Sequence, residues 1–597
     1  MGVTMAMTVA VAPRPAQACG GTFCDGGPNP MPVEQTGETI LFVVEDGHVE
    51  AHIQIEYDPD TEAEQFAWVV PVTAVPELSV GSQQLFANVM AATVPSYGLG
   101  NWVEPCGDEP VGDPDMCNAE GGDVDGDGLA LDAGGGSGPD DGPNVVSHEA
   151  VGAFEVFVLD GGTADGVMQW LGDNGFTQDE AARPILQEYL AEGHLFVAFR
   201  LLAYAGASEI HPIVLRYEGQ EPCIPIRLTR IAAQDDLEIR AVMLAEGRFA
   251  SSNYRDVTLN PLKIDWMNSG MNYRDVVSRA IDEPGAGGHA FVTEYAGPAD
   301  VVSRIGLPGL EWDAEVFRNA ASPGEAVEAL FDQQLVGYGD DGICGGLHPL
   351  VEGLITRHLP TPPDNPIETM CDDPAAFASA VPPDAWTGER FAMDFEVRIV
   401  EPALHAQELL DTWPYLTRMV TMLSPHEMTL DPMFHATPDL PMVTGLTRVG
   451  TRNRFCSGET SFSLPSGDLV ALRSGGWPDI RPDQMPWAET IAYLPPSGAP
   501  VIEVDNRPLI GELLDAWNEE FGPPRSPTSL ASLDPCGDPG QWPPQPGSGA
   551  VDDGRGCGCS NTGPGAGWAW ILALGVGGLL TLRRRDEPEV LDSVHDR

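Results

Sequence analysis

The residues best suited to hold an ion form one run, Asp123-Val124-Asp125-Gly126-Asp127-Gly128. Alternate carboxylates at this spacing converge on a hard cation, and the glycines permit the sharp turn that such a loop needs. Position twelve of the loop is Gly134 where a calcium loop carries Glu, which leaves Asp132 as the further oxygen donor. The run reads as a site for calcium, the one cofactor the sequence suggests, or as a solvated acidic linker. A second reactive candidate is Cys19. Cleavage after Ala16-Gln17-Ala18 would expose it, and its α-amino group, with an unperturbed pKa of about 8, would then activate its own thiol as a nucleophile. Cys24, five residues on, offers the ordinary alternative of a disulfide. The sequence contains no G-x-S-x-G elbow and no P-loop, and His426-Glu427 lacks the second histidine of a zincin helix because position 430 is Leu430.

Two histidines share one alternating run, His48 to Tyr57, in which Val49, Ala51, Ile53 and Ile55 face one side and His48, Glu50, His52, Gln54 and Glu56 the other. Along a strand His48 and His52 stand about 13 Å apart and cannot share one ion. The expectation for this polar side is a solvated sheet face.

Eleven cysteines in a chain bearing an export signal read as disulfides before metal sites. Cys19 with Cys24, Cys106 with Cys117, and Cys344 with Cys371 are the candidate pairs. Setting aside Cys557 and Cys559 leaves nine, so one must stay unpaired or be modified. There is no C-x-x-C pair, the usual signature of thioredoxin-like chemistry or a zinc ribbon.

The carboxyl end fixes the compartment. No charge occurs between Arg555 and Arg583, and Ala566 to Leu582 is apolar or small throughout, enough for about 25 Å of helix across a bilayer. Arg583-Arg584-Arg585 favour the cytoplasmic side, which leaves the preceding chain outside. Together with Cys557-Gly558-Cys559-Ser560 this tail resembles the MYXO-CTERM class of sorting signals. The resemblance implies a surface protein handled by a sorting protease, with lipid attachment at Cys557 or Cys559.

Charge narrows the partners. The 597 residues carry 30 basic and 90 acidic side chains, a net charge of −60, and Lys263 is the single lysine. Nucleic acid is excluded as a partner because phosphate binding needs a basic footprint.

The elements that must position these residues follow from periodicity. Thr39 to Glu45, His48 to Tyr57 and Gln65 to Val72 read as strands, with Asp46-Gly47 as a hairpin turn. Val151 to Leu159, Thr163 to Leu171, Gln178 to Ala191 and Leu195 to Leu202 form a β-α-α-β unit, with Thr177 and Glu180 as a capping box. Ile210 to Tyr217, Ile224 to Ala232, Leu237 to Leu244 and Phe391 to Val400 read as strands. Val276 to Ile281, Gly324 to Leu335, Leu347 to His358 and His405 to Leu423 read as helices.

Cys19-Gly20-Gly21-Thr22-Phe23-Cys24, Gln35-Thr36-Gly37-Glu38, Phe66-Ala67-Trp68-Val69-Val70-Pro71-Val72, Gly288-His289-Ala290-Phe291 and Thr429-Leu430-Asp431-Pro432 resemble the secreted bacterial family called domain of unknown function 2330. The likeness runs from about Cys19 to Phe434, and it implies relatives without an established activity.

The expected organisation is a signal peptide (1–18), a β-rich part (19–104), an acidic Gly/Asp-rich insertion (105–147), a central α+β part (148–360), a second α+β part (361–521), a Pro/Gly-rich stalk (522–565), a transmembrane helix (566–582) and a cytoplasmic tail (583–597). The fold class is α+β, with antiparallel or mixed sheets and interspersed helices. The function that fits is an exported, surface-anchored, non-enzymatic binding or envelope-structural protein whose extracellular ligand is unspecified. The alternatives are a calcium-dependent adhesion module and an N-terminal-cysteine hydrolase.

Overall fold

Asp46 and Gly47 both hold positive φ, 48° and 79°, as a type I′ turn requires. They join Gln35–Glu45 to His48–Tyr57 as an antiparallel hairpin. The computed structural model describes residues 22–25, 35–57, 67–104, 142–177, 179–202, 210–231, 233–307, 312–339, 342–473 and 476–527, all within a unit that ends at Ser529.

The hairpin lies inside a ten-stranded sheet. Gln35–Glu45 pairs in parallel with Ala233–Ala245, and His48–Tyr57 pairs antiparallel with Ile213–Glu218, which carries the edge strand Glu77–Val80. Beyond Ala233–Ala245 follow Tyr415–Leu423, Ala290–Pro298, Arg255–Leu259, Ala488–Tyr493 and Val501–Asp505. One mixed sheet thus draws strands from almost the whole described chain, and the class is α+β.

Strand alternation then fixes the layers. One face of this sheet, including Ile40, Phe42, Val49, Ala51, Ile53 and Leu215, packs on Trp68, Val70, Val156, Val158, Val197 and Phe199 from a six-stranded sheet built on Ala67–Val72, Phe154–Asp160 and Leu195–Leu201. The outer face of the six-stranded sheet is covered by helices Ala164–Asp173 and Ala182–Ala191. The outer face of the ten-stranded sheet, Leu41, Val43, Val242, Leu244 and Leu416, is covered by helices Gln83–Thr93 and Glu401–Thr412. Burying a large side chain of these layers contributes about 1.5–3 kcal/mol, so each covering helix is held by its apolar stripe.

Between Ala290–Pro298 and Tyr415–Leu423, which are neighbours in the sheet, the chain leaves to build a second core. Phe317, Leu330, Leu354, Phe377, Phe391 and Phe395 fill it, and a disulfide from Cys344 to Cys371 closes it, as the sequence suggests.

Some elements differ from expectation. Phe391–Val400 is helical, an α-helix Gly388–Phe395 running into a π turn Glu396–Val400. Its buried apolar spacing, Phe391, Phe395 and Ile399, already follows the four-residue helical step, and the apparent alternation is incidental. His405–Leu423 divides: the helix ends at Thr412 and Tyr415–Leu423 is a strand. Trp413 precedes Pro414 and is therefore driven to extended backbone, φ −99° and ψ 111°. Ile226–Thr229 is a short helix within the expected strand Ile224–Ala232. The helix expected from Gln178 begins at Ala182, with Ala181 at the N-cap and no side-chain bond there. Among the described residues no helix is long and apolar enough to cross a membrane, and the expected span 566–582 lies outside them.

Candidate metal centre

Glu50 and His52 sit two residues apart on one face of His48–Tyr57, the face turned away from the sandwich core. The register places His52 opposite Leu41 and Val214, on the side that Glu401–Thr412 covers. This helix carries Ala403, Ala406, Leu409 and Leu410 on its buried stripe. His405, between the first two, is thereby directed at the strand.

The helix reaches this position through a π turn. Pro402 has no N–H to offer the carbonyl four residues back, and its ring would clash with that carbonyl. The chain widens instead, and the Glu401 N–H bonds to Glu396 O, five residues back.

The expectation of a solvated face fails at His52. Its side chain is 2 % exposed, against 14 % for Glu50 and 37 % for His405. Glu50 Oε1 lies 2.7 Å from His52 Nε2 and 2.6 Å from His405 Nε2. An ionised carboxylate only accepts, so both imidazoles donate. The rings stack at 5.7 Å with planes 12° apart. His48, by contrast, bonds its own turn at Asp46 O.

Electrostatics fixes the charge state. Burial alone would lift the Glu50 carboxyl; the bonds from His405 and His52, with their charges, outweigh it and hold the group well below the usual carboxylate range. Burial pushes His52 below the ordinary imidazole value against the pull of Glu50. The bond to Glu50 raises His405, with burial opposing. These shifts favour an ionised Glu50 carboxylate and push His52 toward its neutral form and His405 toward its protonated form.

The same atoms suit a divalent ion. One ligand atom from each of Glu50, His52 and His405 lies within 4.8 Å of the other two. Metal–ligand bonds of about 2.0–2.2 Å would separate ligand atoms by about 3.4 Å in a tetrahedral site, so Glu50, His52 and His405 would hold an ion in place of the two bridging protons after a small outward shift. Two imidazoles and one carboxylate select borderline ions such as Zn²⁺ over Ca²⁺ or Mg²⁺, which prefer oxygen. His52 Nδ1 is buried without a partner, while His405 Nδ1 faces Glu408 at 3.9 Å; only His405 has a carboxylate on its far nitrogen to orient it.

Three protein ligands leave coordination positions open, and His405 also lines a cleft of about 310 Å³. Ser79, Glu149, Gly152, Val397 and Glu401 are among its other walls.

Most residues singled out by sequence fall outside the described ones. Cys19, Cys106, Cys117, Asp123, Asp125, Asp127, Asp132, Cys557 and Cys559 are outside the described residues, and Cys24 is described only as part of the strand Thr22–Asp25. Cys223 is the free thiol among the described residues. Burial, then the charge of Asp431, pushes it up to about 12, so it is not a nucleophile at neutral pH. The sequence does contain Glu50-x-His52, but nothing in it indicates that position 405 covers that strand.

Residues 13–305 match the model of the DUF2330 family, described as an uncharacterized protein conserved in bacteria. The match takes in Glu50 and His52 and stops before His405. No curated protein and no solved structure matches the chain.

Proposed function

We propose that this chain is an exported, surface-anchored protein whose folded part binds a divalent transition-metal ion of the zinc class through Glu50, His52 and His405, and presents it to the adjoining cleft. The observation that carries this reading is the convergence of two imidazoles on one carboxylate oxygen from elements remote in sequence. Export is supported by the cleavage pattern before Cys19, by the tail with Cys557, Cys559 and the apolar stretch 566–582, and by the Cys344–Cys371 disulfide, a bond of oxidising compartments. The partners are then the membrane, through the tail helix or a lipid, and the protease that sorts it.

Calorimetric titration of the purified chain with Zn²⁺ tests the site. Loss of a group that only hydrogen-bonds to a metal ligand costs about 10–100-fold in metal affinity, so His405→Ala and Glu50→Gln, which remove ligands, should each lose at least that much. Equal affinity in wild type and both variants would refute the assignment.

A second ion, Ca²⁺, belongs to Asp123, Asp125, Asp127 and Asp132 on the carboxylate spacing described above. Its expected Kd is about 10⁻⁴–10⁻³ M, as in extracellular modules. Absence of calcium uptake at millimolar concentration removes that site without touching the zinc assignment.

A further inference from the structure

Lys263, the only lysine in the chain, ends in a cleft of about 430 Å³ far from the metal centre in sequence and composition. Its side chain is 7 % exposed. Nζ lies 4.4 Å from the centre of the Trp487 ring, and its nearest carboxylate oxygen, on Asp479, is 4.0 Å away, beyond hydrogen-bond reach. Among the described residues the ammonium makes no hydrogen bond. Three donors thus stand at the wall of the cleft with the Trp487 ring face beside them.

The neighbouring polar groups are already committed. Asp265 accepts from the N–H groups of Met267 and Asn268, and Arg279 is bound to Asp275 at 2.8 Å while its guanidinium also lies over Trp487 at 4.9 Å. Trp477 spends its N–H on Leu262 O and lines the cleft. What remains available is one set of donors on Lys263, one exposed acceptor on Asp479 and the flat wall of Trp477, since Lys263 and Arg279 already lie over Trp487.

We propose that this cleft binds a neutral saccharide. Ring hydroxyls both donate and accept, so they satisfy Lys263 and Asp479 together, and the C–H face of a sugar ring fits a tryptophan wall. An anion would satisfy Lys263 but meet Asp265, Asp275 and Asp479 in a chain of net charge −60. A simple cation would meet Lys263 and Arg279. Burial, assisted by Arg279, also lowers the Lys263 pKa against the pull of Asp479 and Glu283, as for an ammonium that lacks its partner.

The test is a titration of the purified full chain with cellotetraose, maltotetraose and tetra-N-acetylchitotetraose, read by tryptophan fluorescence, with trigalacturonate as the anionic comparison. At least one neutral sugar should bind saturably. Lys263→Met should weaken it about tenfold or more, a loss of about 1.4 kcal/mol, while trigalacturonate stays without effect. Reductive methylation with isotope-labelled formaldehyde supplies a second readout free of mutation, because a single lysine gives a single side-chain NMR signal, which the sugar should shift. Failure of all three sugars in both readouts, binding unchanged in Lys263→Met, or preference for trigalacturonate would each overturn the proposal.

Discussion

His405 and Glu50 are 355 residues apart in sequence and 2.6 Å apart across a hydrogen bond. The distance is bridged by topology. The strand bearing Glu50 is laid down early, the second core is inserted between two neighbouring strands, and the π turn that leaves it carries His405 back over the first hairpin. The centre is therefore complete only when the whole described fold is.

Beside this site, His211 is fully enclosed. Its Nε2 accepts the Ala153 N–H at 2.9 Å and its Nδ1–H donates to Pro212 O, while a Cβ on Gly152, which has φ +58°, would fall 2.1 Å from Nε2. Burial lowers its pKa to about 3. The folded value lies below the unfolded one of about 6.5, so the contribution is present in full above that pH. It is lost as pH falls toward 3, at about 1.4 kcal/mol per pH unit. Urea unfolding at pH 7 and pH 5 should show His211→Gln losing about 2 kcal/mol less than wild type over that interval. Identical losses would contradict this.

Within the ten-stranded sheet, Arg418 and Glu294 form an ion pair at 3.0 Å with both side chains 2 % exposed. Tyr273 donates to the same carboxylate, yet Arg418 Nε and Nη1 have no partner. Burial outweighs attraction on both sides, raising the Glu294 pKa and lowering that of Arg418. Glu294→Gln leaves a buried guanidinium uncompensated and should cost about 3–5 kcal/mol. The double variant Glu294→Leu with Arg418→Met should recover most of it. Denaturant unfolding measures both, and a double variant worse than the single one would show the pair to be net stabilising.

The disulfide closes a loop between positions 27 residues apart. Its removal by Cys344→Ser with Cys371→Ser should cost about 3–4 kcal/mol in the chain-entropy estimate. The loss should be local: hydrogen exchange should quicken in Pro323–Asp332 and Val351–His358, which pack in that core, and stay slow in Ala233–Ala245. Uniform acceleration would mean that the second core and the sheet unfold together.

The hairpin is legible because its turn residues and period-two alternation agree. The π turn was not, because aromatic residues at helical spacing in Phe391–Val400 also satisfy a strand pattern. Tyr415–Leu423 was read as a helix because a central strand buried on both faces loses its alternation. The metal centre was hidden for a related reason. A polar strand face reads as solvated until something covers it, and the covering helix is specified far along the chain by apolar residues that do not name their partner.

The most direct measurement is anomalous X-ray scattering at the zinc edge from crystals of the chain grown with Zn²⁺. The account predicts a peak bonded to Glu50 Oε1, His52 Nε2 and His405 Nε2 at about 2.0–2.2 Å. A fully zinc-exposed crystal with those three side chains still hydrogen-bonded to one another and no peak between them would contradict it.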